Sequence, residues 1–303
     1  MGLTELQKRL IRSIAESDAK STKNLAAACL DEDKTEKNKS FCARYKSALT
    51  STIKMFEIPQ NIKGLIECED VSISFNERRY YLSPREKDIY HKINKMSKVS
   101  EMFRERGIPY SNSVLLHGVS GGGKTSFGRY VAYKSGLPFC YINFSSLVES
   151  YMGNTSKNIS KVFRFASENP CVLMLDEIDC ISVNRSVDDG SSAQGEMART
   201  TISLMQEFDK LPNSAIVIGA TNRIDLIDRA ILRRFTTKHE VLPLLHDEMR
   251  EMVDRYLGDI DVNIQDTQME AIMGCSVQSD AINLMLLFVA EKFMNTVEDA
   301  QND

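Results

Sequence analysis

The 303-residue sequence lacks the marks of several protein classes. Its seven cysteines, at positions 29, 42, 68, 140, 171, 180 and 275, are odd in number and scattered, and none forms a CxxC. That argues against a zinc site or a disulfide framework. Buried thiols in a reducing cytoplasm are the expectation, as for Cys171 beside Val172. No HExxH zinc-protease motif is present, so any proteolysis would need a separate partner. No apolar run is long enough to span a bilayer, and the charges spread through residues 1–20 do not read as a signal peptide. Positive charge is not in excess either. With a net charge of −4 the chain has no global electrostatic footprint for nucleic acid. There is no internal repeat and no low-complexity block. A soluble cytoplasmic protein is expected.

What is present divides into zones. Residues 1–57 are polar and helical in pattern. Leu6, Leu10, Ile11 and Ile14 fall on one face of a first helix, Leu25–Leu30 forms a second apolar patch, and a third helix is expected from about Asn38 to Phe56. Residues 58–83 form a connector in which Val71-Ser72-Ile73-Ser74-Phe75 alternates like a strand. Residues 84–244 alternate strands and helices, with strands expected at Ser113–His117, Pro138–Phe144, Cys171–Ile178, Ala215–Asn222 and His239–Leu244. Apolar runs separated by helical stretches indicate parallel strands with helices on both faces. Residues 245–303 read as helices interrupted at Gly274.

Gly118-Val119-Ser120-Gly121-Gly122-Gly123-Lys124-Thr125 fits GxxxxGK[ST] between an expected strand and an expected helix, with Ser126 following. Glycines allow successive N–H groups to converge on one phosphate, and the helix N-terminus adds its positive end. Lys124 would lie against the β- and γ-phosphates of ATP, and Thr125 would offer its hydroxyl to Mg²⁺. The apolar strand before Asp176-Glu177-Ile178-Asp179 delivers carboxylates to the same edge. Asp176 suits the magnesium shell, Glu177 suits proton abstraction from the attacking water, and Asp179 suits a structural role. Asn222 ends another strand, where its amide would either orient the lytic water or cap the next turn. No acidic residue lies between Arg229 and Lys238, so Arg233 and Arg234 have no close local partner. They suit either a γ-phosphate across a subunit boundary or a solvated basic turn.

Together these segments resemble the AAA+ ATPases, specifically the clade of spastin- and katanin-type remodelling enzymes, from about Lys87 to about Phe293. The resemblance rests on the loop at 118–125, LMLDEID at 173–179, GATN at 219–222, DRAILRRF at 228–235 and a looser counterpart of the GxSxxD turn at 274–282. It implies a phosphate-loop NTPase: a three-layer α/β sandwich around a five-stranded parallel sheet, a small helical lid after it and a small helical region before it. It also implies that Asn222 senses the nucleotide, that Arg233 and Arg234 reach a neighbour's nucleotide in a homo-oligomer, usually a hexamer, and that Gly274 and Ser276 lie near the adenine. Aligned instead on Asp280, Cys275 and Val277 take those two places. Ser150-Tyr151-Met152-Gly153 matches the clade's pore loop, which would make the substrate a polypeptide gripped by Tyr151, Met152 and Gly153. The residues alone also allow Tyr151 to be a packed helix-start residue. The segment Asn184–Gly195 would be a second pore loop.

Two departures stand out. Val119-Ser120 replaces the clade's usual Pro-Pro, and the C-terminus carries no apolar-aromatic tail of the kind that docks onto a protease. The implied function is a ring that remodels or unfolds a protein substrate. The alternative is an ATP-switched scaffold that activates a partner effector in a bacterial accessory or defence system. A nucleic-acid loader is disfavoured by charge and by Tyr-Met-Gly in the pore position.

Overall fold

A computed structural model describes residues 3–16, 19–50, 53, 55–108, 110–144, 154–181, 192–212 and 214–302. Three consecutive helices open the chain: α1 (Glu5–Ala15), α2 (Ala19–Glu32) and α3 (Lys39–Thr50). Thr4 starts α1 through a reciprocal capping box with Gln7. The apolar stripe of α1 is only partly covered, and Ile11 and Ile14 are exposed.

The connector departs from expectation. Its strand, β1 (Glu67–Glu69), precedes the alternating segment, and Val71–Ser74 forms a helical turn, α4. Asp70 is the cause: its carboxylate accepts from the backbone N and the hydroxyl of Ser72, which closes a helical turn where the alternation suggested extension. β1 lies antiparallel on the sheet edge against β3 (Phe139–Asn143), with Cys68 directly opposite Cys140. These two cysteines are joined by a disulfide across 72 residues of sequence. The expectation of thiols throughout is corrected here, because facing residues on paired antiparallel strands have adjacent Cβ atoms. Among the described residues Cys29, Cys42, Cys171, Cys180 and Cys275 take part in no disulfide, and burial pushes the Cys171 thiol up to about 12.

The sheet has six strands in the order β1-β3-β4-β5-β2-β6, adding β2 (Asn112–His117), β4 (Val172–Asp176), β5 (Ile216–Thr221) and β6 (Thr237–Glu240). All neighbours except β1 and β3 run parallel, so the five expected parallel strands are joined by one antiparallel edge strand. Strands β2, β4 and β5 are buried on both faces, which explains their unbroken apolar text. On one face, α7 (Thr155–Glu168) and α8 (Ser192–Phe208) contribute Ile159, Val162, Phe163, Leu204 and Phe208. On the other, α5 (Pro84–Glu105) and α6 (Lys124–Ser135) contribute Ile93, Phe127, Tyr130 and Val131. A short helix, α9 (Arg229–Leu232), follows β5, and the whole is a three-layer α/β sandwich.

The C-terminal helices α10 (His246–Asp259), α11 (Asp266–Met273) and α12 (Gln278–Asn302) pack around a core of their own, including Met252, Val253, Ile272 and Met285. Polar bonds tie this lid to the connector. Asp259, 1% exposed, accepts from Arg79 Nε at 2.6 Å and from Asn76 Nδ2 at 2.8 Å. The Arg79 guanidinium also lies over the Tyr256 ring, and Arg85, at the start of α5, pairs with Glu248 at 3.0 Å. The connector also grips the sandwich, through Glu69 on Arg129 and Glu77 on Lys134. Among the described residues, no helix is long and apolar enough to cross a membrane.

Candidate nucleotide site

Parallel strands present their C-terminal ends on one edge, where chain crossovers leave a crevice for ligands. Here that edge brings together the loop at 118–123 after β2, Asp176-Glu177 after β4 and Asn222 after β5. Gly123 caps the start of α6, whose first residues are Lys124, Thr125 and Ser126.

Lys124 is 8% exposed. Its ammonium donates to the carbonyls of Gly118 and Val119, each at 2.9 Å, and to Asn222 Oδ1 at 2.7 Å. Burial draws the Lys124 pKa below its ordinary value, opposed by the negative charges of Asp176 and Asp179. A cation so enclosed is stabilised by anions brought to the loop. Thr125 Oγ1 donates to Asp176 Oδ2 at 3.0 Å. Tyr141, on neighbouring β3, donates its hydroxyl to the same oxygen at 3.3 Å. The other Asp176 oxygen accepts from Glu177 N at 2.9 Å. Asp179 takes a structural place, accepting from Thr221 Oγ1 at 2.7 Å.

Glu177 has a φ of +54°, in the left-handed region that a side chain disfavours by roughly 1–2 kcal/mol. Among the described residues its carboxylate has no hydrogen-bond partner. An unengaged base beside two placed oxygen ligands is the arrangement that water activation requires. The donor set fits ATP with magnesium. Mg²⁺ takes one or two protein oxygens and completes its shell with phosphate and water, so Thr125 and Asp176 suffice. No group of three or more His, Cys, Asp or Glu suited to a metal occurs among the described residues.

The arginine pair separates. Arg234 donates from Nε and Nη2 to the two Asp209 oxygens, at 3.2 and 2.9 Å, and from Nη1 to Ala230 O at 3.0 Å. The pair indeed has no acidic partner close by in sequence, but Arg234 has a remote one. The partner lies 25 residues upstream, at the end of α8, where sequence proximity cannot show it. Arg233 is exposed and has no such partner among the described residues. Phe235, just beyond, anchors the segment to the sheet. A Cβ on Gly219 would come within 2.5 Å of its ring, so only glycine lets the phenyl lie against β5.

At the lid, Gly274 and Ser276 are exposed, and the hydrogen bonds to the phosphate loop come from other residues. Gly274 instead ends α11 and borders a separate cavity with His246 and Met269. The residues that meet the loop are Gln278 and Ser279. The alternative register on Asp280 named Cys275 and Val277, and of these Val277 also approaches the loop, its Cγ2 lying 3.2 Å from where a Cβ on Gly121 would sit. Tyr141 and Asp209 carried no signal, because each acts only through a fold neighbour. Tyr151, Met152 and Gly153 lie outside the described residues, as does most of Asn184–Gly195.

The sheet order, the loop and the strand-end carboxylates define a phosphate-loop NTPase. Residues 114–242 match the family model for "ATPase family associated with various cellular activities (AAA)". That stretch, less than half of the chain, resembles an AAA ATPase domain. The chain is 41% identical over 170 residues to a proteasome-activating nucleotidase of Aeropyrum pernix, covering 54% of this chain and 41% of that one. It is 37% identical over 173 residues to a 26S proteasome regulatory subunit 8 homolog of Schizosaccharomyces pombe, covering 56% and 43%. The chain thus spans less than half the length of either relative. Among solved structures, the FIGL-1 AAA domain in complex with ADP superposes with a TM-score of 0.54 at 24% identity, covering 73% of this chain and 74% of that one.

Proposed function

We propose that this chain binds and hydrolyses ATP with Mg²⁺ in a ring of its own copies, and spends the energy on remodelling or unfolding a protein substrate. The observation that carries the ATPase part is the juxtaposition of Lys124, Thr125–Asp176 and the unengaged Glu177 at one strand edge. In this reading the loop and Lys124 hold the phosphates, Thr125 and Asp176 hold the metal, and Glu177 takes a proton from the attacking water. Bound Mg²⁺ supplies charge neutralisation at the phosphates. Asn222, released from Lys124 by a phosphate, orients that water.

Exposed Arg233 supports completion of the site by a neighbouring copy, as an arginine supplied in trans does elsewhere. Arg234, held by Asp209, sets the position of its neighbour. The relatives named for proteasome activation and the proteasome regulatory particle support a polypeptide substrate, with Tyr151, Met152 and Gly153 as the gripping loop. The resulting units are a helical module at 1–57, a connector at 58–83, an ATPase unit at 84–244 and a lid at 245–303.

The test is Glu177→Gln in the full chain with ATP. We expect ATP binding within a few-fold of wild type, hydrolysis reduced about 10²–10⁴-fold, and a stable ring by light scattering that retains captured protein. Unchanged turnover would refute Glu177 as the base. A ring that forms, binds no polypeptide and retains full biological activity would favour the switched scaffold.

A further inference from the structure

The connector crosses the sheet edge at β1. Before it, Ile62, Leu65 and Ile66 are buried in the core on the α7 and α8 face. After it, Val71 is buried in the core on the α5 and α6 face. Between these apolar anchors the strand pairs with β3 over three residues only, Glu67 to Glu69. The Cys68–Cys140 bond sits at the centre of that crossing and closes a covalent ring across 72 residues of sequence. Within the ring lie α5, β2, the phosphate loop and all of α6.

Neighbours of the bond lead to both halves of the nucleotide site. Glu69, next to Cys68, pairs with Arg129 of α6 at 2.9 Å. The Arg129 guanidinium lies over the ring of Phe139, next to Cys140. Further along the connector, Asn76 and Arg79 hold Asp259 of the lid.

The two sulfurs differ in access. Cys140 is fully buried, whereas Cys68 is partly exposed on the edge strand. A thiolate from solution therefore meets the bond from the Cys68 side. Its attack on Cys68 Sγ forms a mixed disulfide and breaks the original S–S bond, and Cys140 Sγ leaves as a thiolate that takes up a proton. The second thiol of a dithiol reductant then attacks the reductant's own sulfur in the mixed disulfide, and Cys68 leaves in the same way. Two electrons and two protons pass from the dithiol to the protein, and a disulfide oxidant reverses the exchange. The apolar anchors on both faces keep the connector in place while the bond is open, so opening loosens β1 without unfolding the sheet.

We propose that Cys68–Cys140 is a thiol–disulfide exchange site, a latch on the connector that dithiols open and disulfides close. Closed, it fixes β1 and with it the base from which Glu69 holds α6 and Asn76 and Arg79 hold the lid. Open, it frees the edge strand, and a nucleotide between loop and lid is held less tightly. That last step rests on the reading of the loop as an ATP site, whereas the exchange site does not.

The experiment takes the full chain, wild type and Cys68→Ser, after oxidised glutathione and after dithiothreitol. Alkylation and mass spectrometry should find the bond in oxidised wild type and two free thiols after dithiothreitol, with the circular dichroism unchanged. Amide hydrogen exchange at residues 67–79 should quicken about tenfold on opening, and ADP should leave about three- to tenfold faster by stopped flow. Cys68→Ser should match reduced wild type under both conditions, and reoxidation of wild type should restore both slow rates. A bond that fails to form in oxidised glutathione, or stays closed in the native protein under dithiothreitol, overturns the exchange site. Opening without faster hydrogen exchange at 67–79, or a dithiothreitol response that persists in Cys68→Ser, overturns the latch. Faster hydrogen exchange with unchanged ADP release overturns its control of the nucleotide. No ADP binding in either state overturns the ATP site itself, and the hydrogen exchange still decides the latch.

Discussion

The two sides of the nucleotide site are held in place by different means. On the sandwich side, the site residues sit at the ends of strands buried on both faces. Their positions follow from the ladder and from ring contacts such as Phe235 against Phe208 and Gly219. On the lid side, a separate small core is attached mainly through polar bonds, Asp259 to Arg79 and Asn76, Arg85 to Glu248, and Gln278 to Gly122, with Tyr81 of the connector packed against it. Apolar interdigitation resists displacement in every direction, whereas a few hydrogen bonds can be exchanged at modest cost. The sandwich is therefore the fixed half of the site and the lid the adjustable half.

The comparison is broken most severely from the sandwich side. Phe235→Ala removes a ring 4% exposed and should cost about 3–5 kcal/mol, read as a lower midpoint in denaturant with an unchanged slope. A loss confined to the lid, with the sheet unaffected, would contradict the division.

From the lid side, Asp259→Asn leaves Arg79 without its charge partner. Because Arg79 is 33% exposed, the cost should fall near 1–3 kcal/mol, below that of a fully buried pair. Amide exchange should quicken in α10 and the connector while β2, β4 and β5 stay protected. Uniform loss of protection would mean that lid and sandwich unfold as one unit.

The smallest effect should come from His239 on β6, between the two halves. Burial, with His117 and Arg85, lowers its pKa below the ordinary 6.5, against the pull of Glu240. The fold thus favours the neutral ring. Stability should be full above pH 6.5 and decline as pH falls through that value toward the lowered one. His239→Gln should flatten the melting temperature across that window, and an equally steep decline in the variant would assign it elsewhere.

The same division explains how much could be foreseen. Strands β2, β4 and β5 were legible because full burial writes them as unbroken apolar runs. The last strand was placed at His239–Leu244 but spans Thr237–Glu240. It is a sheet edge with alternating exposure, and the apolar residues after it leave the ladder for the lid. Val71–Phe75 misled because alternation cannot register a cap such as Asp70. The phosphate loop and its carboxylates were legible because their chemistry lies in contiguous residues. Gln278, Asp209 and the Cys68–Cys140 bond were not, since each depends on a partner remote in sequence.

The short stretch Asn76–Arg79 sets where the lid can turn. Within one helical turn, Glu77 is tied to Lys134 of the sandwich while Asn76 and Arg79 are tied to Asp259 of the lid. A rotation axis far from this stretch would drag its two sets of bonds apart. One passing through it leaves both intact. The chain that leads into this stretch is already fixed to the sheet edge by β1 and the Cys68–Cys140 bond, so the lid can turn there while the ladder upstream stays still.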